Sequence, residues 1–224
     1  EISTRLVGSE MCRRDSHSRW ALAAYGWALF AWADPRSGMR MICSATACMS
    51  ACGCRRCLKK THDPHELDRE ALKKCAGIAS EDLFYVSVAN GIGEPPYFIA
   101  RDVRRRAIVL SIRGTLSIAD CVTDSMYKPS MLNAEAIQEP TLTGADLHVH
   151  SGVLRATNFI LSDLNGHRIL EQTILGETPT ATSAPIPSSA ADCKGWDLVL
   201  TGHSLGAGVA AVFSLHLRKQ CPKV

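Results

Sequence analysis

Long apolar runs are missing from these 224 residues. The longest, Trp20 to Ala33 (WALAAYGWALFAWA), has 14 residues, short of the roughly 20 that a bilayer-spanning helix needs. A strong charge of either sign is missing too: 25 Lys/Arg against 22 Asp/Glu leave a formal net charge of +3. Aromatic residues make up only 6%, beside 46% apolar and 21% charged residues. That balance is ordinary for a globular domain and excludes collagen, coiled coil and wholesale disorder. No zinc-finger, RNP or helix-turn-helix pattern is present, so no nucleic-acid partner is expected. There is no internal repeat. No initiator Met and no signal-peptide pattern opens the chain at Glu1, and it reads as an excerpt of a larger protein.

The length suits one domain or one and a half, and composition marks three regions. Residues 1–60 are basic, Trp-rich and Cys-rich, with ten Lys/Arg against four Asp/Glu. Residues 61–176 look like ordinary globular sequence. Thr178 to Ala190 (TPTATSAPIPSSA) reads as a flexible insert, after which globular character returns. The basic front beside Trp20, Tyr25, Trp27, Phe30 and Trp32 suits the edge of an anionic membrane leaflet; a solvated basic surface and a core-packing helix are the alternatives. Five of the ten cysteines fall at 43, 48, 52, 54 and 57. Their C-x4-C-x3-C-x-C-x2-C spacing matches no standard zinc knuckle. Plain thiols, acylation and metal binding all remain open for them, and no cofactor is evident.

Strand and helix signals alternate along the globular part. Asp63-Pro64-His65-Glu66 carries a helix-start signature, and the helix should end at Gly77. Leu83 to Val88 forms a short element of either type. Tyr97 to Ala100 and Ala107 to Ile112 read as strands. Ser117 to Ser125 and Gly152 to Leu164 read as helices, and Trp196 to Leu200 as a buried strand. This alternation predicts an α/β fold with a mostly parallel sheet.

The most informative stretch is LVLTGHSLGAGVAAVFSLHL at 198–217. It holds Gly202-His203-Ser204-Leu205-Gly206, a G-x-S-x-G pattern between a strand and a small-residue helix. Such a triplet arises by chance in roughly one chain in ten of this length, so the flanking strand and helix carry the argument. To expose its hydroxyl, Ser204 must sit on a sharp turn where strand and helix pass closely. Side chains at 202 and 206 would clash there, and Ala207, Gly208, Ala210 and Ala211 are expected to keep the helix close to the sheet. The helix N-terminus then faces Ser204, where negative charge is favoured.

A second constellation is Ile112-Arg113-Gly114-Thr115 at a strand end, followed by LSIADCVTD. A turn at Gly114 can aim a second backbone N–H at developing charge, Thr115 can add a hydroxyl, and an Asp one helix away can orient that hydroxyl. Taken by itself, it equally fits an ordinary strand-to-helix turn capped by Ser117.

Strand-RGTLS-helix, then His150-Ser151-Gly152, then VLTGHSLGAG, resembles the class 3 (fungal-type) lipases. More closely, the chain is similar to the sn-1-specific diacylglycerol lipases: ALAAYGWALF, the Cys-rich segment, PYFIARD, IVLSIRGTLSIADCVTD and TGHSLGAG occur in the same order. The resemblance implies an α/β-hydrolase catalytic domain in residues 61–224, preceded by a juxtamembrane segment. It makes Ser204 the nucleophile, Thr115 and the Leu205 N–H the oxyanion hole, Asp124 the support of Thr115, and His150 a structural residue. The implied reaction releases a fatty acid and 2-monoacylglycerol from diacylglycerol. A membrane surface as partner, a cytosolic-facing place at the plasma membrane and a calcium dependence are implied as well. No motif accounts for the calcium. A triacylglycerol lipase or phospholipase A1 of the same fold, or a non-catalytic lipid-binding scaffold, are the alternatives.

In α/β-hydrolases the acid and the histidine follow the nucleophile. Of the twenty residues after Ser204 none is Asp or Glu, and the sole histidine is His216. Twelve residues along the same helix, it would lie roughly 18 Å away. The expectation is therefore a domain lacking its C-terminal part, with the triad Asp and His not in this chain and one sheet side uncovered near Leu198 and Val199.

Overall fold

A computed structural model describes residues 11–37, 64–114, 128–132, 147–175 and 186–220. Among the described residues there are five α-helices, α1 (Met11–Ala23), α2 (Gly26–Ala33), α3 (Pro64–Ala76), α4 (Ser151–Gly166) and α5 (Leu205–Gln220), and six strands. These are β1 (Leu83–Ser87), β2 (Tyr97–Asp102), β3 (Ala107–Ile112), β4 (Pro129–Met131), β5 (His148–His150) and β6 (Asp197–Gly202). The main sheet runs β1-β2-β3-β6, and β4 pairs with β5 separately.

The α/β architecture is as expected, but the main sheet is mixed rather than mostly parallel. Among the described strands of this sheet only β3 and β6 pair in parallel; β1–β2 and β2–β3 are antiparallel. The reason is connection length. Four residues, Val103 to Arg106, link β2 to β3, enough for a hairpin and far too few for a parallel crossover. β3 and β6 are separated by α4 and so have the chain they need.

β3 explains the layering. All six of its residues are buried, as a strand covered on both faces must be. Ile108, Leu110 and Ile112 face one core with Tyr97, Ile99, Ile160, Val209 and Phe213. Ala107 and Val109 face the other, with Trp20, Ala23, Ala24, Leu72 and Phe98. Alternation along β3 thus sorts its side chains between α4/α5 on one side and α1/α3 on the other.

The helix α1 lies within the basic segment 1–60, yet its apolar end belongs to this core. Trp20 stacks on Phe98 with ring centroids 6.0 Å apart, and the Ser111 hydroxyl donates to the Trp20 carbonyl at 2.9 Å. α1 also covers β6. Leu198 and Val199, expected to be uncovered, are 2% and 4% exposed. Leu198 is covered from the α4/α5 side, and Val199 from the other side by the apolar end of α1 together with α3. The apolar run does not form one helix: it breaks at Ala24–Tyr25, with Gly26 at φ +69°. No described helix is long and apolar enough to cross a membrane.

Local signals held where they were strong. α3 carries Glu66 in its first turn and Lys73 and Lys74 in its last, charges that suit the helix dipole. Gly77 at φ +69° ends it, and the Ile78 N–H bonds the Lys73 carbonyl at 2.9 Å, a Schellman closure. Of the element expected at 83–88, Leu83–Ser87 is a strand and Val88 lies beyond its end. The insert at 178–190 ends in structure, since Ser188–Cys193 is a short 3-10 helix started by Pro187, whose carbonyl accepts from Ala190. Asp63, the helix expected at 117–125 and the 43–57 cysteines lie outside the described residues.

Candidate active site

The turn at Ser204 is built by glycines on both sides. β6 ends at Gly202, α5 starts at Leu205, and Ser204 between them is exposed with φ +54°. A non-glycine residue in that region costs about 1–2 kcal/mol and persists where its surroundings hold it. A Cβ on Gly202 would lie 2.5 Å from the Gly206 carbonyl carbon and 2.9 Å from the Ala207 nitrogen. A Cβ on Gly206 would strike the carbonyl oxygens of Ile112 and Arg113. The clash expected at 202 and 206 is therefore present, and it seats the start of α5 on the end of β3.

The reading of the small residues beyond needs correction. Ala207 and Ala211 are exposed, whereas Val209, Ala210 and Phe213 are buried. At 3.6 residues per turn, the face containing 206, 209, 210 and 213 meets the sheet and the one containing 207 and 211 meets solvent. Gly208 faces α4 instead, where a Cβ would stand 3.4 Å from a Val153 methyl.

Backbone groups close the turn. The Gly206 N–H donates to the His203 carbonyl and the Ala207 N–H to the Ser204 carbonyl, both at 3.0 Å. Leu205 is the first residue of α5, so its N–H belongs to the four at a helix start that have no partner inside the helix. It adjoins Ser204 at the positive end of a 16-residue helix.

Gly114 brings the second constellation to the same place. A Cβ there would strike the His203 carbonyl oxygen and the Tyr25 hydroxyl. The residue before Thr115 and the residue before Ser204 are thus in contact. Thr115 and Asp124 themselves lie outside the described residues. Arg113, one residue earlier and 8% exposed, donates to the Asn90 side chain at 2.5 Å, and its N–H bonds the Pro96 carbonyl at 2.9 Å. It ties the strand end to the β1–β2 connection.

The histidines separate by role. His150 stands at the N-cap of α4 and its Nδ1 accepts from the Val153 N–H at 3.4 Å, consistent with a structural place. His216 lies on α5 with Nδ1 3.1 Å from the Val212 carbonyl, on the same helix and three turns on from Ser204. The exposed His203 has Nδ1 3.0 Å from the Tyr25 hydroxyl. Sequence reasoning assigned Tyr25 to an aromatic stripe and missed this partnership. The only available signal was its place in ALAAYGWALF.

Of two clefts on the α1/α3 side of the sheet, the first is lined by residues of the turn and the second is not. The first, of about 330 Å³, runs along Ala21, Leu22, Leu200, Thr201 and His203. The second, of about 230 Å³, lies over Ala24, Leu72, Val86, Val88 and Arg113. Among the described residues no three His, Cys, Asp or Glu side chains are grouped to hold a metal.

Residues 109–223, just over half of the chain, match the profile of the class 3 lipases. The chain is 27% identical over 220 residues to human diacylglycerol lipase-alpha, covering 91% of itself and 18% of that protein. To mouse diacylglycerol lipase-beta it is 30% identical over 213 residues, covering 92% of itself and 27% of the relative. It therefore spans under a third of the length of these curated relatives. Among solved structures, a nonglycosylated LIP2 lipase of Yarrowia lipolytica aligns with TM-score 0.50 at 18% identity, covering 98% of this chain and 59% of that one, a likeness of fold alone. With the profile match, the strand–Ser204–helix turn and this fold in agreement, the chain belongs to the class 3 lipase family, and its sequence resembles the diacylglycerol lipases within it.

Proposed function

We propose that residues 1–224 hold the nucleophile half of a serine lipase that cleaves an ester of diacylglycerol. Ser204 is the nucleophile: its oxygen attacks the ester carbonyl, its proton passes to a general base, and the alcohol leaves as monoacylglycerol carrying a proton. Water then hydrolyses the acyl-serine and releases the fatty acid. The Leu205 N–H and Thr115 stabilise the oxyanion, with Asp124 orienting Thr115. The observation carrying this reading is the exposed Ser204 at φ +54° between the end of β6 and the start of α5. The contact of Gly114 with His203 supports an oxyanion role for the strand end. The cleft beside the turn offers an acyl chain the apolar side chains of Ala21, Leu22 and Leu200.

No Asp or Glu follows Ser204 in this chain, and His216 lies along the same helix. The base and its acid are accordingly read as lying outside residues 1–224. The sn-1 preference and a membrane-associated, cytosolic-facing place at the plasma membrane follow from the resemblance. Trp32, 79% exposed at the end of α2, supports contact with a membrane surface.

A fluorophosphonate probe applied to the full-length polypeptide tests the nucleophile. Covalent label on the Ser204 peptide, lost together with diacylglycerol hydrolysis in Ser204→Ala, is expected. Hydrolysis that survives Ser204→Ala overturns the assignment. Lipid binding without labelling or hydrolysis marks a scaffold instead.

A further inference from the structure

The motif ALAAYGW at 21–27 is left unexplained by Ser204 alone. Its alanines 21, 23 and 24 are buried, and α1 ends at Ala23 while α2 begins at Gly26. Gly26 turns the chain at φ +69°, where a Cβ would strike the Asp68 carboxylate of α3. The corner carries Tyr25 to His203, 178 residues away in sequence. The Tyr25 hydroxyl lies 3.0 Å from His203 Nδ1, and the two rings meet edge-on with centroids 6.0 Å apart. That hydroxyl and the His203 carbonyl are the atoms packed against Gly114. Tyr25, His203 and Gly114 therefore converge between the nucleophile turn and the oxyanion strand end. The support is itself anchored, through Trp20 stacked on Phe98 and bonded by Ser111.

We propose that Tyr25, from a helix corner outside the family-matched stretch 109–223, is a positioning residue for the Ser204 turn. A serine at φ +54° needs both flanks held. On the helix side, Gly206 seats α5 on the Ile112 and Arg113 carbonyls. On the strand side, the Tyr25 hydroxyl holds the imidazole of the residue immediately before Ser204. It does so while touching Gly114, so one atom sets the spacing between the nucleophile turn and the strand end leading to Thr115. Releasing that atom frees Ser204 to leave the attacking orientation, which slows the chemical step without touching substrate affinity. The inference rests on Ser204 as nucleophile and adds a residue that the turn depends on.

Tyr25→Phe tests it in the full-length polypeptide, because the ring stays and only the hydroxyl goes. The second-order rate of Ser204 labelling by a fluorophosphonate, and kcat on diacylglycerol, should each fall about fivefold, the worth of one hydrogen bond. KM should not change and Tm should fall by no more than about 2–4 °C, the shift that one hydrogen bond gives a domain of this size. His203→Phe, read by the labelling rate alone because His203 also lines the cleft beside the turn, should give the same loss, and the double variant no further loss in that rate, as expected for two residues acting as one unit. Should Tyr25→Phe fail to fold, His203→Phe decides alone. Labelling of both variants within twofold of wild type overturns the inference while leaving the nucleophile assignment standing. Losses that multiply in the double variant overturn it too, as does a fall in Tm with rates unchanged. A wild type that carries no label at Ser204 overturns the nucleophile assignment and this inference together.

Discussion

Gly202 and Gly206 approach so closely that a methyl group on the first would sit 2.5 Å from the carbonyl carbon of the second. The atoms it would meet are backbone, held at once by β6 and α5, so the turn has no soft side into which a methyl group could be absorbed.

Gly202→Ala should accordingly destabilise the fold by about 3 kcal/mol, at the upper end of overpacking penalties. Gly77→Ala supplies the contrast: its φ is +69° and nothing lies within 4 Å of its Cβ position, so it should cost only about 1 kcal/mol of backbone strain. Urea melts of the two variants measure the difference. Equal penalties would remove the steric argument for the elbow.

At position 204 glycine should outperform alanine. Both substitutions delete the hydroxyl, but only glycine adopts φ +54° without strain. Ser204→Gly should be more stable than Ser204→Ala by about 1 kcal/mol, the reverse of the usual order inside a helix or strand. Paired denaturation curves decide it, and an alanine variant that proved the more stable would argue against the turn conformation.

The tryptophans should divide sharply. Trp20 is 7% exposed and stacked on Phe98, whereas Trp32 is 79% exposed. Trp20→Ala should cost about 3–5 kcal/mol, and Trp32→Ala less than about 0.5 kcal/mol. If the α2 end contacts lipid, Trp32→Ala should also weaken liposome flotation. Unchanged flotation would remove Trp32 from the membrane contact.

The tyrosine pair on β1 and β2 sets an alkaline limit. Tyr85 and Tyr97 both donate to Asp163, at 3.0 and 2.6 Å. Burial, then the Asp163 charge, pushes the Tyr85 hydroxyl up to about 12. Burial and the bond to Asp163 raise Tyr97 further in the same direction. Because both folded values exceed the unfolded one near 10, their stabilisation is whole below pH 10 and is lost as pH rises toward 12. Absorbance at 295 nm should show these two tyrosines ionising last, with stability falling across that window. Tyr97→Phe should flatten the fall, and early ionisation of both would contradict the Asp163 bonds.

Much of this was legible because it is local. A Cβ needs room wherever strand and helix cross, so the glycines at 202 and 206 could be read from the pattern around Ser204. The strand β3 followed from the β-branched and apolar run AIVLSI, and the end of α3 from Gly77. Elements whose type depends on pairing were not legible. Leu83 to Ser87 became a strand only because β2 lies beside it, and the sheet's mixed direction followed from a four-residue link whose significance emerges only once both flanking strands are placed.

The amino-acid order alone specified the turn chemistry, the alternation that sends Ile108 and Val109 to opposite cores, and the family likeness, since each depends on residues near one another along the chain. Folding alone decided that α1 covers Val199, that Ala207 and Ala211 face water, and that Tyr25 reaches His203. Those outcomes depend on which surfaces meet across more than a hundred residues, and no periodicity within a short window encodes a distance of that kind.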